Sequence, residues 1–136
     1  MVQKDKELLL EDLCTRLPYG VKCAIFNKDL GFGGIPGFEG KYPFVIDGIT
    51  QEGDDIDVWV ERGNFSLESI KPYLFPLSSM TGEQYVEFVN LGNATSDDCF
   101  DGVNFNQLDW LIAHHFDYRG LIEKGLAIDA TGKNVY

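Results

Sequence analysis

Six consecutive residues, His114-His115-Phe116-Asp117-Tyr118-Arg119, bring both histidines of the chain beside a carboxylate, a phenol and a guanidinium. These are the groups of a general acid–base site, or of part of a metal site. Neighbouring histidines on a helix diverge by about 100°, so His114 and His115 do not easily share one metal. Zinc prefers His or Cys at i and i+4, or ligands converging from elsewhere. Asp117 with His114, joined by Cys99 from a distant loop, would make such a set. A simpler arrangement keeps one imidazole in the core, a ring nitrogen on a backbone carbonyl, and the other at the surface. Asp117 then caps a helix, Tyr118 packs, and Arg119 pairs with a carboxylate. On that arrangement no catalytic, cofactor-binding or metal-binding residue is expected, and no cofactor.

Other patterns are weaker. Gly31-Phe32-Gly33 begins a G-x-G-x-x-G run, but Pro36 stands where the last glycine belongs and no Walker lysine follows. Asp97, Asp101 and Gly102 fit positions one, five and six of a calcium loop. Cys99 and Leu108 then occupy its third and twelfth positions, which breaks the ligand set.

The elements that must position these residues follow from apolar periodicity. Leu108, Leu111, Ile112 and His115 recur at helical spacing and predict a helix over Phe105–His115. A corner at Phe116–Asp117 and a second helix over Tyr118–Lys124, ended by Gly125, come next. Lys6–Leu17 reads as a first helix with Leu9, Leu10, Leu13, Cys14 and Leu17 inward. Lys6, Glu7, Glu11, Asp12 and Arg16 then face water. Val21–Asn27, Tyr42–Thr50 and Asp55–Glu61 read as strands of an antiparallel meander. Trp59 falls on the polar face of the third, while the first is apolar on both faces. The glycine-rich connection Lys28–Lys41 carries Phe32 and Phe38. Gly63–Met80 contains Pro72 and Pro76 and reads as an apolar segment wrapped along the sheet, with a helical turn near Leu67–Ile70. Thr81 and Gln84 make a capping box for a helix that buries Tyr85, Phe88 and Val89. The expected fold is a single α+β domain over residues 1–136. It comprises an N-terminal helix, a three-stranded antiparallel meander and a helical C-terminal half packed on one sheet face.

Composition bounds the function. The 136 residues are 44% hydrophobic and 24% charged, an ordinary globular balance long enough for one core. A formal charge of -11 repels nucleic-acid phosphate and anionic membranes, so neither is an expected partner. No 18-residue apolar run exists to span a membrane, and MVQKDKELLLED lacks the apolar core of a signal peptide. Three cysteines, Cys14, Cys23 and Cys99, are odd in number and lie far apart, as reduced thiols of a cytoplasmic protein do.

Three stretches, LLLEDLCTRLPYGV at 8–21, KPYLFPLSSMT at 71–81 and HHFDYRGLIEKGLA at 114–127, resemble an uncharacterised family of short proteins. That family is carried by anaerobic gut bacteria and their prophages. Its middle motif has an arginine where this chain has Phe75, and its tail contains proline where this chain has ATGKNVY. The resemblance implies a bacterial or phage cytoplasmic setting and lends no catalytic residue. The leading expectation is a small non-enzymatic protein that binds another protein through an aromatic loop surface, with Trp59, Phe32 and Phe38 as candidates. Two alternatives are a small hydrolase or metal-dependent enzyme using His114, His115 and Asp117, and an acidic inhibitor of a nucleic-acid enzyme. The second alternative requires a carboxylate stripe, whereas the carboxylates run dispersed from Glu7 to Asp129. The sequence leaves the oligomeric state open. Thiol titration of the denatured, unreduced protein is expected to find all three cysteines; a count of one would mean a disulfide and a different compartment.

Overall fold

The computed structural model describes residues 3–25, 44–61, 63–92, 99–100, 103–133 and 135–136. The fold is α+β. Helix α1 (Gln3–Arg16) leads through a tight helical turn at Leu17–Tyr19 into strand β1 (Lys22–Ile25). Gly20 ends that turn with φ +69 and donates its N–H to Leu17 O, a conformation glycine adopts without steric cost. Strands β2 (Phe44–Val45), β3 (Gly48–Glu52), β4 (Asp55–Val60), β5 (Gly63–Ser66) and β6 (Ile70–Pro76) follow. Helix α2 (Gly82–Gly92), the short ribbon β7 (Cys99–Phe100) and β8 (Val103–Asn104), and helix α3 (Phe105–Ala113) come next. The last strands are β9 (Phe116–Asp117) and β10 (Ile128–Asp129).

The expected three-stranded antiparallel meander is present, but with different members. It is β3-β4-β5, with Val58 opposite both Ile49 and Phe65. Strand β1 belongs instead to a second sheet ordered β10-β6-β1-β2. The described part of the expected strand Tyr42–Thr50, from Phe44 onward, is divided between the two sheets. Ile46 N–H donates to Val21 O at 3.0 Å, and Asp47 N–H to Trp59 O at 2.7 Å. One peptide step thus transfers the chain from one sheet to the other, and each amide keeps a partner.

The stretch expected to wrap along the sheet, Gly63–Met80, contains β5, a helical turn at Leu67–Ser69 where one was expected, and strand β6, the centre of the second sheet. It pairs antiparallel with β1 at Ile70–Pro72 and parallel with β10 at Tyr73–Leu74. Past the end of β1 it pairs parallel with β9 at Phe75–Pro76. Proline disfavours central strands because it donates no ladder bond. Pro72 and Pro76 both lie outside the two residues that pair with β10, so neither missing N–H interrupts that ladder. The parallel pairing of β6 with β9 requires a crossover, which α2 and α3 supply.

The main core draws on α1 and both sheets: Leu9 and Leu13 meet Val21, Cys23, Ile25, Val58, Ile70 and Leu74. Ala24 packs with Tyr73, Ala130 and Val135 in a second cluster, so β1 is covered on both faces. A third cluster forms around Trp110, Leu111 and Phe116. In α1 the expected placement of three residues is reversed. Asp12 and Arg16 are both fully buried, and Cys14 is exposed. The phase of the helix decides this, because positions 9, 12, 13 and 16 share one face.

Arg16 Nε meets Asp12 Oδ2 at 2.7 Å, and Nη2 meets Oδ1 at 3.2 Å. Nη2 also donates to Phe116 O at 2.6 Å, fastening α1 to β9 across the fold. Removing one member of a buried ion pair strands the other charge. Asp12→Ala is therefore expected to cost about 3–5 kcal/mol in urea unfolding. Glu11→Ala, which removes only an exposed carboxylate, is expected to cost under about 1 kcal/mol. Equal, small costs for the two would show that Arg16 does not depend on Asp12.

Candidate functional site

The residues of the HHFDYR run lie close together in sequence and go to separate environments. His114 is exposed just past α3. Its Nδ1 lies 2.8 Å from Trp110 O, and its ring stacks on Trp110 at 4.2 Å. His115 is half-buried with φ +64, the left-handed position at which α3 stops. Its ring lies flat on Tyr136, centroids 3.7 Å apart and planes 10° apart. The histidine bonded to a backbone carbonyl is thus the exposed one. The half-buried ring leaves Nδ1 without a hydrogen-bond partner among the described residues. Burial lowers the His115 pKa from 6.5 to about 4, and the positive charges of Arg16, His114 and Lys22 add to that shift.

Asp117 caps as its sequence position predicts, but what it caps is a series of turns, not the helix expected over Tyr118–Lys124. Its Oδ1 accepts the N–H groups of Arg119 at 3.3 Å and Leu121 at 3.0 Å, and its Oδ2 that of Ile122 at 2.9 Å. Leu126 N–H reaches back to Leu121 O, and Gly125, with φ +75, lets the chain turn out. The Asp117 carboxylate is nearly buried and engaged by three amides.

Tyr118 and Arg119 join the α1 ion pair. Arg119 Nε lies 3.3 Å from Asp12 Oδ1 and donates to Tyr118 Oη at 3.1 Å. Arg119 Nη1 lies 3.6 Å from Glu11. The Tyr118 ring stands beside both guanidiniums, 5.5 Å from Arg16 and 4.9 Å from Arg119. Two cations, two carboxylates and one aromatic ring form a single network. Nothing in the chemistry-bearing residue types of the α1 segment marked it as part of this site. The available signal was the phase that sets Asp12 and Arg16 on the leucine face.

Tyr118 and Arg119 also line the large apolar groove of the molecule, about 1120 Å³ in volume. Its walls come from three helices: Leu8 and Glu11 of α1, Tyr85 and Phe88 of α2, and Phe105, Leu108 and Leu111 of α3. Leu77 and Met80, between β6 and α2, contribute as well. Met80, Phe88, Leu111 and Tyr118 continue inward as the cluster around Trp110. Trp110 Nε1 donates to Glu87 at 2.8 Å, joining α3 to α2.

The groove exists because α2 is not buried as its stripe predicts. The capping box forms, with Gln84 N–H on Thr81 Oγ1 and Thr81 N–H on Gln84 Oε1. Of the expected stripe, however, only Phe88 is half-buried. Tyr85 is 60% exposed, and Val89 is exposed as well. Phe105, at the start of α3, is 62% exposed, and Leu77 and Val86 are also open. Trp59, on the outer face of β4, is 41% exposed and donates Nε1–H to Thr50 Oγ1 at 2.8 Å. Phe32 and Phe38 lie outside the described residues.

Among the described residues, no three His, Cys, Asp or Glu side chains converge as a metal-binding group, and no helix is long and apolar enough to cross a membrane. No family model matches the chain, and the searches of curated proteins and of solved structures find no match either.

The His115 environment has a pH consequence. The unfolded imidazole titrates near 6.5 and the folded one at about 4, so the unfolded chain binds this proton more tightly. The stabilisation is complete above about pH 6.5 and is lost as pH falls through about 4. His115→Asn, which tolerates the same backbone conformation, is expected to lose less of its urea midpoint between about pH 7 and 4.5 than the unsubstituted protein. Carboxylate protonation is common to both proteins, so an identical decline would remove His115 from the account.

Proposed function

We propose that this is a non-enzymatic protein whose role is to bind another protein, and that the helical groove is the docking surface. The observation that carries the reading is the clustering of exposed large apolar side chains on one surface. Leu77, Tyr85 and Phe105 line the groove and are exposed to water. Contiguous apolar surface of this kind costs solubility and marks interaction sites. On this reading the docking surface is the one on helices α2 and α3; Phe32 and Phe38 of the loop surface suggested by the sequence lie outside the described residues.

The His114–His115–Asp117 chemistry draws less support. Asp117 holds three backbone amides, and His114 Nδ1 faces a backbone carbonyl. The resemblance to short proteins of gut bacteria and their prophages implies only a setting and adds no residue to this reading.

A photo-crosslinking side chain at position 105, in the protein expressed in its own host, is expected to yield a discrete protein adduct. Tyr85→Ser with Leu77→Ser should abolish that adduct. The same crosslinker at position 59 should yield none. Equal adducts from both positions, unaffected by the serine substitutions, would remove the groove from the proposal.

A further inference from the structure

Tyr136 stands where a strand ladder would otherwise continue. Strands β1 and β6 pair Cys23 with Pro72, Ala24 with Lys71 and Ile25 with Ile70. The next pair in that register is Lys22 with Tyr73, and the Tyr136 hydroxyl sits between their main-chain groups. It accepts from Lys22 N–H at 2.8 Å and donates to Tyr73 O at 2.9 Å. Residues two apart on a strand turn their main-chain groups to the same edge, and on that edge Phe75 N–H donates to His115 O at 2.8 Å. The hydroxyl thus fills the joint between β1 and the corner that leads into β9.

The ring is placed as closely as the hydroxyl. One face lies flat on the His115 imidazole, the Phe75 ring tilts beside it at 5.9 Å, and Lys22 Nζ stands 5.6 Å from its centroid. Lys22 Nζ also donates to Val135 O at 2.5 Å. Few chemical groups meet both demands. The two main-chain groups need a single atom that accepts and donates at once, which a hydroxyl does. An ionised carboxylate only accepts, and an indole N–H only donates. Serine and threonine bring no ring to stack on the imidazole. Phenylalanine brings the ring and strands both main-chain groups. Burial raises the Tyr136 pKa above its usual value, which keeps the proton that is donated to Tyr73 O. Yet the residue is 40% exposed and belongs to none of the three apolar clusters, so its departure leaves the cores packed. We infer that Lys22, Tyr73, Phe75 and His115 form a recognition slot for a para-substituted phenol, and that Tyr136 is a releasable latch seated in it. A small phenol takes the slot when Tyr136 is gone, because every contact but that of the Val135 carbonyl belongs to the phenol itself.

The test uses p-cresol, a tyrosine side chain cut at Cβ, and toluene, which lacks only the hydroxyl. In the full chain carrying Tyr136→Ala, p-cresol at about 5 mM is expected to raise the melting temperature by at least about 2 °C. Toluene at the same concentration should give less than half that rise, because a site built to bond a hydroxyl rejects the analogue without it. Neither should raise the melting temperature of the unsubstituted protein, whose slot is filled. Tyr136→Phe should exchange its Lys22 amide hydrogen at least about tenfold faster than the unsubstituted protein, while the His115 ring protons keep the shift that the stacked ring imposes. In the unsubstituted protein, exchange at the Lys22 amide should depend little on urea, as local opening does.

Equal rises with p-cresol and toluene would reduce the slot to an apolar dent and overturn phenol recognition. So would no rise with p-cresol, or Lys22 exchange that Tyr136→Phe leaves unchanged. Two other results would overturn the latch. One is a Tyr136→Ala protein that no longer folds. The other is Lys22 exchange as steeply dependent on urea as that of the slowest core amides, which would mean that Tyr136 leaves only when the whole chain unfolds.

Discussion

A guanidinium with no exposure to water cannot stand alone, and much of this molecule is arranged around that constraint. Arg16 is paired with Asp12 one turn earlier on its own helix and donates to the carbonyl of Phe116, a hundred residues on, while its Nη1 is buried with no hydrogen-bond partner among the described residues. The first contact neutralises the charge. The second requires the chain after α3 to return beside α1, and β9 is that return. Its parallel pairing with β6 places the Phe116 carbonyl where the arginine needs it. The energetic content lies less in net attraction than in exclusivity, because any arrangement that separates these groups leaves a buried charge exposed to a low dielectric.

The same network shapes the surface. Arg119 approaches Asp12 from the turn that Asp117 organises, and Tyr118 stands between the two guanidiniums. These contacts hold the post-α3 segment against α1. Helices α2 and α3 meanwhile lean on each other through Trp110, Phe88 and Glu87. Between the two contact zones no side chain among the described residues closes the space, and the groove is what remains. It is apolar because α2 and α3 turn hydrophobic residues toward it.

His115 shows how a terminator can be chosen against local preference. Helices commonly end on glycine in the left-handed region, and a histidine there pays a steric cost. The stack on Tyr136 offsets it. Tyr136 itself is held by its hydroxyl, which accepts from Lys22 N–H and donates to Tyr73 O. The end of the chain thus covers the end of α3, and the imidazole stays neutral because its surroundings are positive and dry.

What the sequence by itself determined is local. The helices read at 6–17 and 105–115 and found at 3–16 and 105–113, the capping box at Thr81, the two-faced burial of β1 and the outward placement of Trp59 all follow from spacings within one element. Asp117 as a cap was legible for the same reason, since the amides it binds lie within five residues. The tertiary structure alone decided which sheet each strand joined, that a proline-bearing segment is the central strand, and that Tyr118–Lys124 turns without becoming a helix. It alone left Tyr85 and Val89 in water, because an amphipathic stripe states that a helix has an apolar face and not whether anything in the chain covers it. Asp12 and Arg16 fall between these cases. Their phase on the leucine face was visible, but their burial depended on a carbonyl and a second arginine brought from a hundred residues away. Residue type argued for water and geometry for the core, and geometry prevailed because partners were waiting there.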